Sequence, residues 1–207
     1  MNQEDREVEV KFYLSNPRLL LARLLALGAE CTQGRLFEVN LRFDMPDGSL
    51  TRDQRVLRLR QDNRARMTYK GAAAPEEAVS VRQEIEFEVS DFEAARRLLE
   101  ALGYQVSVMY EKWRTTYRLG DLEIVIDEMP FGNFCEIEGS EASSIQQAAA
   151  SLGLDWDARI VASYVALFDL LKLKRQLKVN QLTFQELADL TVTPDELGVR
   201  PADQEAG

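Results

Sequence analysis

Glu7, Glu9 and Lys11 alternate with Val8 and Val10 near the start of the chain. In a strand this spacing puts two carboxylates and an ammonium on one face and the valines on the other. The division recurs: Arg58 and Arg60 alternate with Leu57 and Leu59, and Arg82, Glu84 and Glu86 with Gln83, Ile85 and Phe87. Glu136 and Glu138 alternate with Cys135 and Ile137, Lys112 and Arg114 share a parity, Lys70 ends Met67–Lys70, and Asp127 closes Glu123–Asp127. A solvated face would mix in Ser, Thr, Asn and Gln, but these rows are nearly pure acid and base. Lys11, Arg58, Arg60, Lys70, Arg82, Lys112 and Arg114 stand against Glu7, Glu9, Glu84, Glu86, Asp127, Glu136 and Glu138. Such balance suits a shared, partly enclosed space, because unpaired buried charge is costly and a charged lining invites a charged ligand.

The 207 residues include no histidine and only two cysteines, Cys31 and Cys135. Histidine-based acid–base chemistry and serine–histidine arrangements are thereby excluded, and zinc, without its usual ligand, is disfavoured. Catalysis must rest on carboxylates, lysine, arginine, tyrosine or a hard metal ion. A net charge of −10 argues against general nucleic-acid or anionic-membrane binding. No apolar run reaches the ~20 residues of a membrane span, the polar start MNQEDREVEV is no secretory signal, and the sparse cysteines suit a reducing cytoplasm.

The elements that must position these charges fall into two related halves. The first reads strand Glu7–Leu14, helix Pro17–Leu27 ending at Gly28, strand Phe37–Asp44, then a hairpin of Val56–Gln61 and Ala65–Lys70. The second repeats the order with strand Val81–Val89, helix Phe92–Leu102 ending at Gly103, and strands Tyr110–Arg118, Leu122–Asp127 and Phe134–Glu138. The fragments LARLLALG and ARRLLEALG occupy equivalent places, which marks an internal duplication. Two helices are expected after Gly139, at Ala142–Leu152 and Ala158–Lys174, the second with Ile160, Tyr164, Leu167 and Leu171 on a packed face. The apolar parity (Val8, Val10, Leu57, Leu59, Ile85, Phe87, Ile124, Ile126 and Ile137) must then be buried under helices, with the charges inside. An α+β fold follows, a closed antiparallel eight-stranded barrel with a polar tunnel and helices packed outside. It would occupy residues 1–174. Residues 175–207 form a C-terminal extension with a short helix at Phe184–Leu190, a stop at Thr193-Pro194 and a disordered end.

Glu7-x-Glu9-x-Lys11, Leu57-Arg58-Leu59-Arg60, Lys70-Gly71, Arg82-x-Glu84-x-Glu86, Lys112-x-Arg114, Asp127 and Gly132-x-Phe134-x-Glu136-Ile137-Glu138 together resemble the CYTH superfamily, the triphosphate tunnel metalloenzymes. The resemblance implies a tunnel that binds a triphosphate through Lys11, Arg58, Arg60, Lys70, Arg82, Lys112 and Arg114. It implies Mg2+ or Mn2+ held by Glu7, Glu9, Glu84, Glu86, Asp127, Glu136 and Glu138, since hard cations take oxygen ligands. Glu9 and Lys11 are the catalytic candidates, with Lys11 a proton-transfer group if neighbouring cations depress its pKa.

Two chemistries fit that site. Water as nucleophile makes a metal-dependent phosphohydrolase of an inorganic or organic triphosphate, such as tripolyphosphate or thiamine triphosphate. The ribose hydroxyl of ATP makes a class IV adenylyl cyclase releasing cyclic AMP and pyrophosphate. Cyclase-like members often carry paired aromatics in the strand before Leu57–Arg60, whereas Phe37–Asp44 has Arg42 where one is expected. Hydrolysis is therefore the leading expectation, and a non-catalytic polyphosphate- or nucleotide-binding module is a third. The expected partner is a triphosphate-bearing small molecule, with no nucleic acid and no membrane; whether two copies pair as a homodimer is left open.

Overall fold

The computed structural model of the chain describes residues 6–72 and 79–203, with side chains from Val8 onward. Its elements are strands β1 (Arg6–Leu14), β2 (Glu30–Asp44), β3 (Val56–Gln61), β4 (Ala65–Lys70), β5 (Ser80–Val89), β6 (Gln105–Leu119), β7 (Leu122–Met129), β8 (Gly132–Glu138) and the two-residue β9 (Arg159–Ile160). The α-helices are α1 (Pro17–Ala26), the one-turn α2 (Ser49–Arg52), α3 (Phe92–Ala101), α4 (Ala142–Ser151) and α5 (Tyr164–Arg175). Strands run β5-β4-β3-β2-β6-β7-β8-β1, every neighbour antiparallel, and β1 pairs with β5 to close an eight-stranded ring. Exchanging β1–β4 with β5–β8 reproduces this order in reverse, so the duplication legible in the sequence is a two-fold topology.

Local chemistry sets the equivalent helices α1 and α3. Asn16 caps α1 by accepting from the Leu19 N–H at 3.3 Å, with Pro17 in the first turn, and Asp91 caps α3 by accepting from Ala94 at 2.9 Å. Gly28 and Gly103 follow them at φ +79° and +95°, a left-handed stop that glycine takes without a Cβ clash.

Outward faces meet helices as patterning predicts. Val8, Val10, Phe12, Ile124 and Ile137 pack beneath Leu20 and Leu24 of α1 and Ile145 and Ala149 of α4. Leu41, Phe43 and Leu59 pack against Ala95 and Leu99 of α3. β5 departs from the expectation: Ile85 and Phe87 are 44% and 53% exposed, because α3 lies over β3 and leaves the outside of β5 uncovered.

α5 also differs. Arg159–Ile160 pair with β1, so the helix starts at Tyr164 rather than 158. Its buried face meets Tyr13, Tyr110 and Phe134, which share the inward parity of their strands. The helix therefore packs on the interior side of the ring, not outside it. Residues 184–189 form turns instead of the expected helix, and a 3-10 turn covers Pro194–Leu197 where a stop was expected. The segment to Asp203 is docked, where composition suggests disorder: Leu182 bridges Tyr110, Pro201 bridges Tyr13, and Asp203 accepts from the Ser15 and Asn16 backbone N–H groups.

Candidate active site: a cavity with two walls of opposite charge

The inward faces enclose a cavity of about 390 Å3. Its basic wall is built on β2, β3 and β4. Arg42 lies opposite Arg58 across one strand pair, and Arg60 opposite Arg66 across the next. Like charges placed this way repel, and the carboxylates present offset that only in part. Glu86 accepts from Arg60 at 3.1 Å, Arg58 at 3.5 Å and the Thr68 hydroxyl at 2.7 Å. Burial raises the Glu86 pKa, but Arg60 and the Thr68 hydroxyl outweigh it and hold the carboxyl below its ordinary range. The Nε atoms of Arg58, Arg60 and Arg66 stay buried with no acceptor among the described residues. A buried guanidinium N–H without an acceptor is an unfilled anion contact.

Carboxylates make the opposite wall. Glu9 pairs in register with Glu138 across β1 and β8, and Glu138 with Glu123 across β8 and β7, giving three acids in a row on adjacent strands. Crowding by the protein, then Glu123 and Glu9, push Glu138 up to about 7, although its side chain still reaches solvent at the rim. Glu9 behaves oppositely: burial raises it, yet Lys11 and Lys70 dominate and hold it at about 2. Lys11 Nζ lies 2.6 Å from Glu9 and 3.2 Å from Glu136, and Lys70 Nζ 3.3 Å from Glu84.

Two buried acids join the walls. Asp127, fully buried, accepts from Lys112 at 2.9 Å, from Arg114 at 2.6 and 2.7 Å, and from the Tyr164 hydroxyl at 2.9 Å. Glu38, 3% exposed, lies 3.6 Å from both Arg60 and Lys112. Burial opposes its ionisation, but Lys112, Arg114 and Arg60 win and hold it at about 2.

Of the residues singled out in the sequence, all but Glu7 and Asp127 line the cavity. The side chain of Glu7 lies outside the described residues; its backbone sits opposite Arg82. Asp127 lies behind the lining, neutralising two cations. The acids do not gather into one group: Glu86 belongs to the basic wall and Asp127 to the seam. Among the described residues no group of three or more acidic or thiol side chains is arranged to hold a metal ion. Lys11 has carboxylates at ion-pair distance, the reverse of the cationic surroundings that proton release would require.

Arg42, Arg66, Glu123 and Tyr110 line the cavity as well, and Glu38 lies at its seam. The sequence did carry their signal. Arg42 and Glu38 share the inward parity of β2, Arg66 that of Lys70, Glu123 that of Asp127 and Tyr110 that of Lys112. Motif-by-motif reading passed over them. Asn40, between Arg60 and Tyr110 in register, is fully buried, and neither amide atom has a hydrogen-bond partner among the described residues.

Residues 5–155 match the family model described as the CYTH domain. The chain belongs to the CYTH family. A Methanocaldococcus jannaschii protein, named a putative adenylate cyclase, is 29% identical over 136 residues, 65% of this chain and 77% of its own. The solved structure of a Pyrococcus horikoshii protein superposes with a TM-score of 0.67 at 27% identity, covering 77% of this chain and 97% of that one. A Hippeastrum adenylyl cyclase homologue, described as having a dominant triphosphatase activity, shares the fold at a TM-score of 0.59 and 20% identity over 79% of this CYTH chain and 95% of its own. No described helix is long and apolar enough to cross a membrane.

Proposed function

We propose that this CYTH protein is a divalent-metal-dependent phosphohydrolase that cleaves a triphosphate held between its two walls. The observation that carries this reading is the polarised cavity: buried arginine N–H groups without acceptors on one side, a row of three carboxylates on the other. A phosphate chain supplies the missing acceptors. Arg58, Arg60 and Arg66 bind it from the basic wall, where the planar guanidinium can give two hydrogen bonds to one phosphate. Lys112 and Arg114 meet it at the seam, with Lys11, Lys70 and Arg82 nearby.

The acidic wall fits Mg2+ or Mn2+. Glu138, held up to about 7 by burial and by the charges of Glu123 and Glu9, lacks enough countercharge in the protein alone. Glu9 and Glu138, opposite each other in register, would hold the cation, with Glu123 beside them. Magnesium commonly keeps several waters and takes one or two carboxylates plus substrate phosphates, so a closed protein cage is not needed. Bound there, the cation would supply charge neutralisation to the phosphoryl oxygens. Lys11, fixed by Glu9 and Glu136, orients the wall and presents an ammonium to phosphate.

The name of the M. jannaschii relative favours a second reading, cyclisation of ATP. Products separate the two. Orthophosphate from tripolyphosphate or thiamine triphosphate with magnesium or manganese supports the hydrolase. Pyrophosphate with cyclic AMP from ATP alone makes the protein a cyclase, and binding without turnover leaves only a capture module.

A further inference from the structure

A second cavity, of about 410 Å3, adjoins the first and shares Arg42, Val56, Arg82, Ser163 and Val165 with it. Three guanidinium groups line it, and none has every N–H partnered among the described residues. Arg42 has no ion-pair or side-chain hydrogen-bond partner among the described residues; burial, with Arg58 and Arg82, disfavours its charge and outweighs the favourable pull of Tyr110 and Asp169. Arg82 donates to the Ser80 hydroxyl at 2.9 and 3.2 Å. Arg55 pairs with Asp53 at 2.6 Å but keeps a buried Nε without an acceptor. The cavity's acid, Asp169, is already bound by Lys172 at 2.7 Å. No aromatic ring lines the space, so a nucleobase would find nothing to stack on.

Resting on the triphosphate reading above, we infer that Arg42, Arg55 and Arg82 form an additional phosphate subsite, continuous with the main cavity, that selects linear inorganic polyphosphates longer than three units. A half-buried arginine opposite another arginine, with only Tyr110 and Asp169 favouring its charge and neither at ion-pair or hydrogen-bond distance, is short of countercharge. An anion reaching past Arg58 gives it one. Because both cavities share Arg42 and Arg82, one extended chain can occupy them without a break.

The test compares calorimetric binding of tripolyphosphate, tetrapolyphosphate and orthophosphate, in magnesium, by wild type, Arg42→Met and Arg42→Lys. Wild type should bind tetrapolyphosphate about 10-fold more tightly than tripolyphosphate, the worth of one further charged hydrogen-bonded contact. Arg42→Met should erase that preference, and Arg42→Lys should keep part of it. Should Arg42→Met fail to fold, Arg55→Met, which lines the second cavity and not the first, carries the same expectation. Equal affinity for the two chains in wild type, or an equal loss for both in the variant, overturns the subsite while leaving the triphosphate reading intact. Orthophosphate that displaces neither chain but binds beside tripolyphosphate overturns the single-chain version. Failure to bind any of the polyphosphates removes both readings together.

Discussion

The hairpins β3–β4 and β7–β8 occupy equivalent places in the two halves of the ring, and both turn alternate residues inward. The first presents Arg58, Arg60, Arg66 and Lys70; the second presents Glu123, Asp127, Glu136 and Glu138. Duplication preserved the backbone order, which depends on apolar faces meeting helices, and left the inward faces free to diverge. A ring with one sign of charge on both halves would repel itself. With opposite signs facing each other it can hold an anion and a cation together, as a metal–phosphate ligand requires.

The seam between the walls should be the most sensitive point. Asp127→Ala removes the acceptor shared by buried Lys112 and partly buried Arg114, leaving them Glu38 and Glu136, and should cost about 3 kcal/mol in denaturant unfolding; a cost below about 1 kcal/mol would mean that the two walls are not tied there. Glu9→Gln touches the acidic wall alone. Metal-dependent turnover should fall by at least about 100-fold, since even the partners of metal ligands are worth 10–100-fold, while polyphosphate binding without metal persists. Arg60→Met is the converse: Kd for tripolyphosphate should rise about 10-fold with metal affinity unchanged. If both variants lose metal and phosphate alike, the walls do not divide the work.

The acidic wall and the seam should also differ in their response to pH. Glu138 is raised from the ordinary 4.5 to about 7, so the folded protein holds a proton that the unfolded chain releases. Metal-free stability from this group is present below pH 4.5 and is lost as pH rises through 7. Glu38 has the opposite sign: lowered from 4.5 to about 2, it stabilises above pH 4.5 and loses that contribution as pH falls towards 2. Thermal melts of the metal-free protein should show a decline between pH 5 and 8 that Glu138→Gln flattens. The smallest effect belongs to the uncovered outside of β5, where Phe87→Ser should change stability by no more than about 0.5 kcal/mol; a larger loss would show that this face is covered in solution.

Much of this was legible one strand at a time. Side-chain direction alternates with period two, so inward charge and outward bulk could be sorted without coordinates, and the repeat of LARLLALG as ARRLLEALG identified the halves. The parity of Arg66 and Glu123 was equally visible, but no single-strand motif marked them. Their part depends on which strand lies next to which.

The sequence by itself determined the alternation, the balance of acid and base, the caps and glycine stops of α1 and α3, and the duplication, all properties of neighbouring residues. Only the tertiary structure decided that Glu9, Glu138 and Glu123 form one row and that Arg42 meets Arg58, because pairing between strands sets the register. It also placed α5 on the inner side of the ring, left Ile85 and Phe87 bare, and drew Asp203 back onto the start of α1. Those outcomes come from the competition of distant segments for the same surface, which local patterning does not encode.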